Sequence, residues 1–469
     1  MNIEAPFVTQ ISSSGYRSAH SSKSVVPGDI VSSETPYTSV LLRSAAHKYC
    51  ATCLVSANDT VEKRLKRCSG GCELTYYCTK DCQIQDFVVH KHTCKKYSKI
   101  VTRARQLFSR MIRCSSSSEH SLSSSQDNDF PLEDFILGRK VYIKICHDAK
   151  IPIKEKILAS LPESLQQLSE NVPSVDYCQV ESILAQVLAD SFDLDTKESL
   201  SFFKSLLAKF RCNNFGIQSM LQEVIAHGIY PKGAILNHSC DPNVILLYEE
   251  GKQVIRAIKA LETGEELFHS YTDLCKPTYL RRQHLQNTYG FICNCERCRS
   301  IGKWKTVEHE LIKNLGMSED DEWKVQALIQ QAQLISVENI DESEQDIRRE
   351  YECLNEALSI QRKKLGKYNL ERYKTECLAL TTSMLLQENE DVLSHAQAAV
   401  DFLQFTCNEF HPLLLLQKMT LAELYEGFGY RSKAMEMYNE LVFSCGVMYG
   451  HDHVFVQHYE SKGNGSFHQ

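Results

Sequence analysis

Cysteine is the residue type that marks this chain, with 20 in 469 residues. Eight soft donors fall in four short pairs: Cys50-x2-Cys53, Cys68-x3-Cys72, Cys78-x3-Cys82 and His90-x3-Cys94. Tetrahedral zinc takes four thiolate or imidazole donors, so eight imply two ions. Alternating pairs that share an ion would cross-brace a segment too short to build its own core. That assigns Cys50, Cys53, Cys78 and Cys82 to one zinc, and Cys68, Cys72, His90 and Cys94 to the other. Structural zinc contributes about 10 kcal/mol of folding free energy per site. Both sets are closed, which suits a structural role and not catalysis. Further on, Cys293-x-Cys295-x2-Cys298 puts three donors on a tight loop, one short of a tetrahedron. Lys63, Arg64, Lys66, Arg67, Lys91, Lys95 and Lys96 surround the first cluster. They form either a solvated rim or a docking surface for an acidic partner peptide or, more weakly, nucleic acid.

The elements that must hold these donors are ordinary. Hydrophobic residues make up 43% and charged residues 24%, as in a soluble globular protein. The length suggests about three folded units. A net charge of −7 argues against a surface that clamps nucleic acid throughout. No apolar run approaches the roughly 18 residues needed to cross a bilayer, so no membrane role is expected. The first 30 residues lack an apolar core behind a charged start, so the expected home is a reducing compartment, cytoplasmic and nuclear.

Residues 1–44 are Ser-rich with strand-like pieces such as Asp29-Ile30-Val31. Cys114 through Asp127 is a polar run expected to be a mobile insert. Residues 131–228 read mostly as helices, from repeats such as Ile183-Leu184 to Val187-Leu188. Two β-branched runs, Asn243–Tyr248 and Val254–Ile258, flank Glu249-Glu250-Gly251-Lys252 and predict a hairpin. From about 304 onward the pattern is amphipathic helix without strands. There Leu421, Ala422, Tyr425, Gly429, Ala434 and Tyr438 fall at the offsets of a tetratricopeptide-like helix pair. Ser318 before Glu319-Asp320-Asp321-Glu322 predicts a helix start, an acidic first turn suiting the helix dipole.

The first cluster, with Tyr77-Cys78-Thr79-Lys80-Asp81-Cys82-Gln83 and His90-Lys91-x2-Cys94, resembles the MYND zinc finger. Asn237-His238-Ser239-Cys240-Asp241-Pro242-Asn243 resembles the NHSCxPN signature of SET-domain protein lysine methyltransferases. Gly264-Glu265-Glu266-Leu267, Ser270-Tyr271, Tyr289-Gly290-Phe291 and the three late cysteines continue the match. A finger inserted within a SET domain is similar to the SMYD family, over nearly the whole chain.

The resemblance implies an α+β multidomain fold: a β-rich SET fold with inserted MYND finger, post-SET zinc loop and helical C-terminus. It divides the chain into an N-terminal SET part (1–49), finger (50–94), helical linker and SET insert (95–228), core SET (229–275), post-SET loop (276–303) and tetratricopeptide-like helical domain (304–469). It implies Cys240 as the fourth ligand to Cys293, Cys295 and Cys298, hence three zinc ions; His269 or water is the other way to complete that loop. It implies S-adenosylmethionine as methyl donor and a target lysine on a histone or non-histone protein as acceptor. Tyr271 and Tyr289 take catalytic roles at the reacting centre and beside the lysine. Arg17, Asn213, Asn237, His238 and Phe291 join them around the cofactor. The family's Gly-x-Gly segment would fall near Tyr16-Arg17-Ser18, where neither glycine is present, although Gly15 lies just before. That departure keeps an alternative in view, a scaffold with a degenerate SET fold that binds partner proteins in transcriptional regulation. By family analogy the chain acts as a monomer.

Overall fold

The computed structural model describes residues 7–11, 17–60, 64–70, 72, 75–115, 130–153, 175–194, 196–338 and 343–463. Gly15, Tyr16 and all of the expected insert beyond Ser115 lie outside the described residues.

The hairpin expected from the β-branched runs forms. β-strands at Val244–Glu249 and Lys252–Ala257 pair antiparallel, and a third strand, Ile30–Glu34, lies along the second of them. The two turn residues, Glu250 and Gly251, have φ of 48° and 74°. Such a turn matches the twist of the flanking strands and favours glycine. A methyl group at Gly251 would also sit 3.3 Å from the Leu54 side chain and 3.4 Å from the Cys53 carbonyl. The hairpin tip therefore abuts the first zinc knuckle, and the Tyr230 hydroxyl holds it by donating to the Gly251 carbonyl at 2.6 Å.

A second sheet adds two strands at the end of 131–228, whose described residues are otherwise mostly helical as expected. Thr38–Leu41 pairs with Val224–Ile229, which pairs with Asn214–Gln218. The Asn214–Gln218 strand buries only Ile217 fully, so alternation in its sequence is faint. Its sheet is completed by a strand from the other side of the finger, which no local pattern can announce. Ahead of these strands the helices are as expected: Tyr97–Ser115, Leu132–Asp148, Val175–Asp190 and Lys197–Asn213. They enclose a core of Phe135, Leu137, Tyr142, Leu188, Phe203 and their neighbours.

A short parallel pair joins Asn237–His238 to Phe268–His269. After it come a helix at Thr278–Tyr289, capped by Gly290 at φ 76°, and a helix at Lys303–Leu311. Among the described residues seven helices follow, from Glu319–Glu338 to Val454–Gly463. The first starts as expected, with Ser318 Oγ accepting from the Asp321 amide at 3.2 Å while Asp321 accepts in return from the Ser318 amide. Ala422, Ala434 and Tyr438 are fully buried where Pro412–Gly427 meets Arg431–Tyr449. One continuous core runs from these helices through Trp304 and Leu285 to Leu274, Cys298 and Cys240. The helical domain is thus fused to the wall of the site. No helix of the described residues is long and apolar enough to cross a membrane.

Candidate functional site: three thiol clusters and an aromatic cleft

The twelve metal-donor candidates gather into three groups of four: Cys50, Cys53, Cys78, Cys82; Cys68, Cys72, His90, Cys94; and Cys240, Cys293, Cys295, Cys298. Within each group the ligand atoms lie within 4.8 Å of one another. Representative separations are 3.4 Å for Cys53–Cys78, 3.2 Å from Cys72 to His90 Nε2, and 3.5 Å for Cys240–Cys298. A tetrahedral zinc with Zn–S of about 2.3 Å spaces its sulfurs about 3.8 Å apart, so all three groups fit that ion. His269 stands outside the third group, and Cys240 is the fourth donor there.

Local structure explains the placement. In the finger, Thr79 caps the helix Lys80–His90, and that helix carries Cys82 and His90. Gly70 lies against the second group, where a Cβ would come within 2.6 Å of Cys94 Sγ. Its amide donates to Cys68 Sγ at 3.4 Å. Around the third group, Arg281 is fully buried and donates from Nε to Cys240 Sγ at 3.2 Å. Arg281 and Arg297 both pair with Glu308, at 2.9 and 2.8 Å. Positive charge beside the sulfurs favours thiolate, and the outer hydrogen bonds orient the ligands. Burial alone would raise the Glu308 carboxyl, but the two guanidinium groups outweigh it and hold it below the usual carboxylate range.

The aromatic residues assemble beside this third cluster. The Tyr271 hydroxyl donates to the Leu236 carbonyl at 2.5 Å, and the Tyr271 amide donates to His238 Nδ1 at 2.9 Å. The Tyr271 ring lies 4.8 Å from that of Tyr289 and 6.4 Å from that of Phe291. His238 lies 6.0 Å from Phe291, with Nε2 3.2 Å from Cys240 Sγ. Burial pushes the His238 imidazole down to about 4 and the Tyr289 phenol up to about 12. Both are therefore uncharged at neutral pH. Asn237 donates through its amide to the Arg17 carbonyl at 2.8 Å and to Glu266 at 2.7 Å. Its two amide hydrogens are spent within the protein, so a ligand would meet its oxygen or its backbone. Asn213 is buried at the end of its helix and donates to the Lys209 carbonyl at 2.7 Å. It sits between Cys212 and Asn214, which line a cavity of about 730 Å³.

That cavity is bordered by Phe215, His269, Tyr271, Tyr289, Asn408 and His411. It lies between the second sheet, the parallel strand pair and the loop joining two C-terminal helices. His269 is a lining residue that sequence reasoning did not place here. Its ring is 4.8 Å from that of Tyr271, and burial pushes it down to about 3. The Leu236 carbonyl, Arg281, Arg297 and Glu308 were equally unforeseen. Glu266 falls within Gly264-Glu265-Glu266-Leu267, and that segment was the available signal.

Comparison with known proteins agrees with this architecture. The SET domain family matches residues 27–272. Histone-lysine N-methyltransferase ASHR1 of Arabidopsis thaliana is 26% identical over 63% of this chain, and the match spans 55% of that protein. N-lysine methyltransferase SMYD2-A of Danio rerio is 23% identical, over 92% of this chain and 91% of its own length. Histone-lysine N-methyltransferase SMYD3 of Mus musculus is 24% identical, over 92% and 90%. With more than half its length in the matched domain, a cysteine-rich finger within that domain and a helical C-terminus packed on it, the chain belongs to the SET domain family in its SMYD form.

Proposed function

In this S-adenosylmethionine-dependent protein-lysine N-methyltransferase, we propose that the cavity receives the target lysine and that Tyr271 orients it. The observation that carries the reading is the Tyr271 hydroxyl, anchored on the Leu236 carbonyl at 2.5 Å beside the Asn237–His238 strand and facing Tyr289. S-adenosylmethionine, when bound, supplies the methyl group from a positively charged sulfonium. Arg17, Asn213, Asn237, His238, Tyr271, Tyr289 and Phe291 would hold it. Amide oxygens, backbone carbonyls and aromatic faces suit a cation joined to a purine, and a neutral His238 adds no opposing charge.

The protein's own residues do the rest. The lysine side chain passes Phe215 and His269 and comes to rest against Tyr271 and Tyr289. Apolar and aromatic walls disfavour the ammonium form, so the amine is uncharged at the reacting position. The Tyr271 oxygen accepts a hydrogen bond from the amine and turns its lone pair toward the methyl. No protein nucleophile is required. The helical domain contributes Asn408 and His411 to the opposite wall and thereby limits which protein segments enter. The third zinc cluster ties Tyr289 and Phe291 to the Asn237–His238 strand.

Tyr271→Phe is expected to lower methyl transfer to a protein mixture by about 10²–10³-fold, as for removal of one oriented hydrogen-bonding group at a reacting centre. Its zinc content should stay at the wild-type level. Undiminished transfer in that variant would remove Tyr271 from the mechanism. Calorimetry should show heat on adding S-adenosylmethionine; silence at high ligand concentration would revive the scaffold reading, which is not favoured.

Beyond the reaction, the finger is a docking module in this reading. Ile84 and Phe87 stand exposed one turn apart on its helix, 58% and 55% accessible, which suits an apolar partner peptide. The basic rim gives nucleic acid a weaker claim, to be tested by the salt dependence of any affinity. By family resemblance alone, we propose a monomer acting in cytoplasm and nucleus.

A further inference from the structure

Two buried thiols stand outside the zinc groups and across the seam between the SET core and the helical domain. Cys275 Sγ and Cys407 Sγ are 3.9 Å apart although 132 residues separate them in sequence. They are 4% and 9% exposed. Cys275 lies in the loop that carries Tyr271 to the helix Thr278–Tyr289; Cys407 closes the helix Asn389–Thr406. Their neighbours Leu274, Lys276 and Asn408 line the cleft, so a small solute there is one residue from each sulfur. Both thiols lie in the single core that unites the two regions.

We propose that Cys275 and Cys407 are a modification site: a thiol pair that a peroxide converts to a disulfide, clasping the Tyr271 loop to the helical wall of the cleft. The steps balance with hydrogen peroxide as oxidant. The Cys407 thiolate attacks one peroxide oxygen, the O–O bond breaks, and hydroxide leaves, taking up a proton to become water. The product is a sulfenic acid on Cys407. The Cys275 sulfur attacks that sulfur, its proton passes to the departing hydroxide, and a second water leaves. Two thiols are oxidised and one peroxide is reduced to two waters. The roles follow from the surroundings. The Cys275 hydrogen bond, the Thr406 hydroxyl at 3.6 Å, and the nearby His411 and Arg297 favour thiolate on Cys407, whereas its partner is driven up. Closing the sulfurs from 3.9 Å to a bond of about 2.05 Å draws the two cleft walls together. A small thiol entering from the cleft would reopen it by exchange. The site does not depend on the methyl-transfer reading.

The test is limited hydrogen peroxide on the full-length zinc-loaded protein, followed by non-reducing digestion and mass spectrometry. Zinc release is followed in parallel. The expected result is a Cys275–Cys407 linked peptide, about 2 Da below the sum of its parts because two hydrogens are lost, appearing while the zinc is retained. Dithiothreitol should reverse it. Cys275→Ser should leave a sulfenic acid on Cys407 that dimedone traps. The proposal is overturned if zinc leaves before any such link forms, or if either cysteine crosslinks elsewhere instead. Because the wild-type digest decides the matter, a variant that folds poorly does not shelter the idea.

Discussion

The finger and the post-SET loop are both gripped by clustered thiols, yet they are built on opposite terms. In the finger, the described buried core is Cys50, Cys68, Cys72, Cys94 and Tyr77, so four of five core residues are also ligands. Its strands, Lys66–Arg67 and Tyr76–Tyr77, are two residues each. At the post-SET cluster, Cys240, Cys293 and Cys298 belong to the largest core among the described residues. There, two buried arginines and Glu308 supply a second framework of ion pairs and carbonyl contacts. The lesson is that the same coordination chemistry can be the whole reason a segment folds, or a pin that fixes geometry in a segment held by other means.

The comparison can be broken most directly by chelation. Removing zinc should unfold the finger outright, since each structural site carries about 10 kcal/mol. Hydrogen exchange should show the finger amides losing protection wholesale, while the helices around Trp304 keep theirs. Equal collapse of both regions would refute the contrast. Next in size is Glu308→Gln, which takes the shared carboxylate from Arg281 and Arg297, leaving the first only the cluster sulfurs as anions and the second no anion among its described partners. We expect a cost of about 3–5 kcal/mol, read as a lower melting temperature with local opening of the post-SET loop. The finger's exchange should be unchanged.

An acid titration sharpens the point with a metal-free region as reference. In the helical domain, burial would raise the Glu376 carboxyl, but hydrogen bonds from His395 and Arg362 hold it at about 2. A depressed carboxyl adds stability above its unfolded value, near 4.3, and that share is lost as pH falls toward about 2. Thiolate and imidazole ligands protonate at milder acidity, so zinc should leave before the helical domain loosens. Protein-bound zinc, measured by metal analysis of desalted samples, and far-UV dichroism followed together would show the order. Smallest is Thr79→Ala, which removes the finger's helix cap for about 1 kcal/mol. If the metal dominates there, zinc stoichiometry should not change.

Features set by local spacing were legible. The ligand pairs, the Glu250-Gly251 turn and the Ser318 helix start each need only neighbours along the chain. The Asn237–Asn243 segment announced the site because so many of its residue types are required at once. What stayed hidden depends on contacts made at a distance. The strand Val224–Ile229 has one partner on each side of the finger, Thr38–Leu41 before it and Asn214–Gln218 after it. His269 becomes a cleft residue only after the parallel pair sets it beside Tyr271. Arg281 and Arg297 look like surface cations until Glu308, on a later helix, arrives between them. Cys275 and Cys407 are ordinary apolar-site cysteines in one dimension and neighbours in three.

The glycine at the hairpin tip has a mechanical consequence. Position 251 must both bend leftward and leave room for a zinc knuckle, and the two demands point to the same residue. Any side chain there would act as a wedge, pressing on Leu54 and the Cys53 carbonyl and prising the finger off the sheet without replacing a ligand sulfur or touching the reacting centre. A finger reoriented this way, still zinc-loaded and beside an intact cleft, would separate what the module grips from what the cleft modifies.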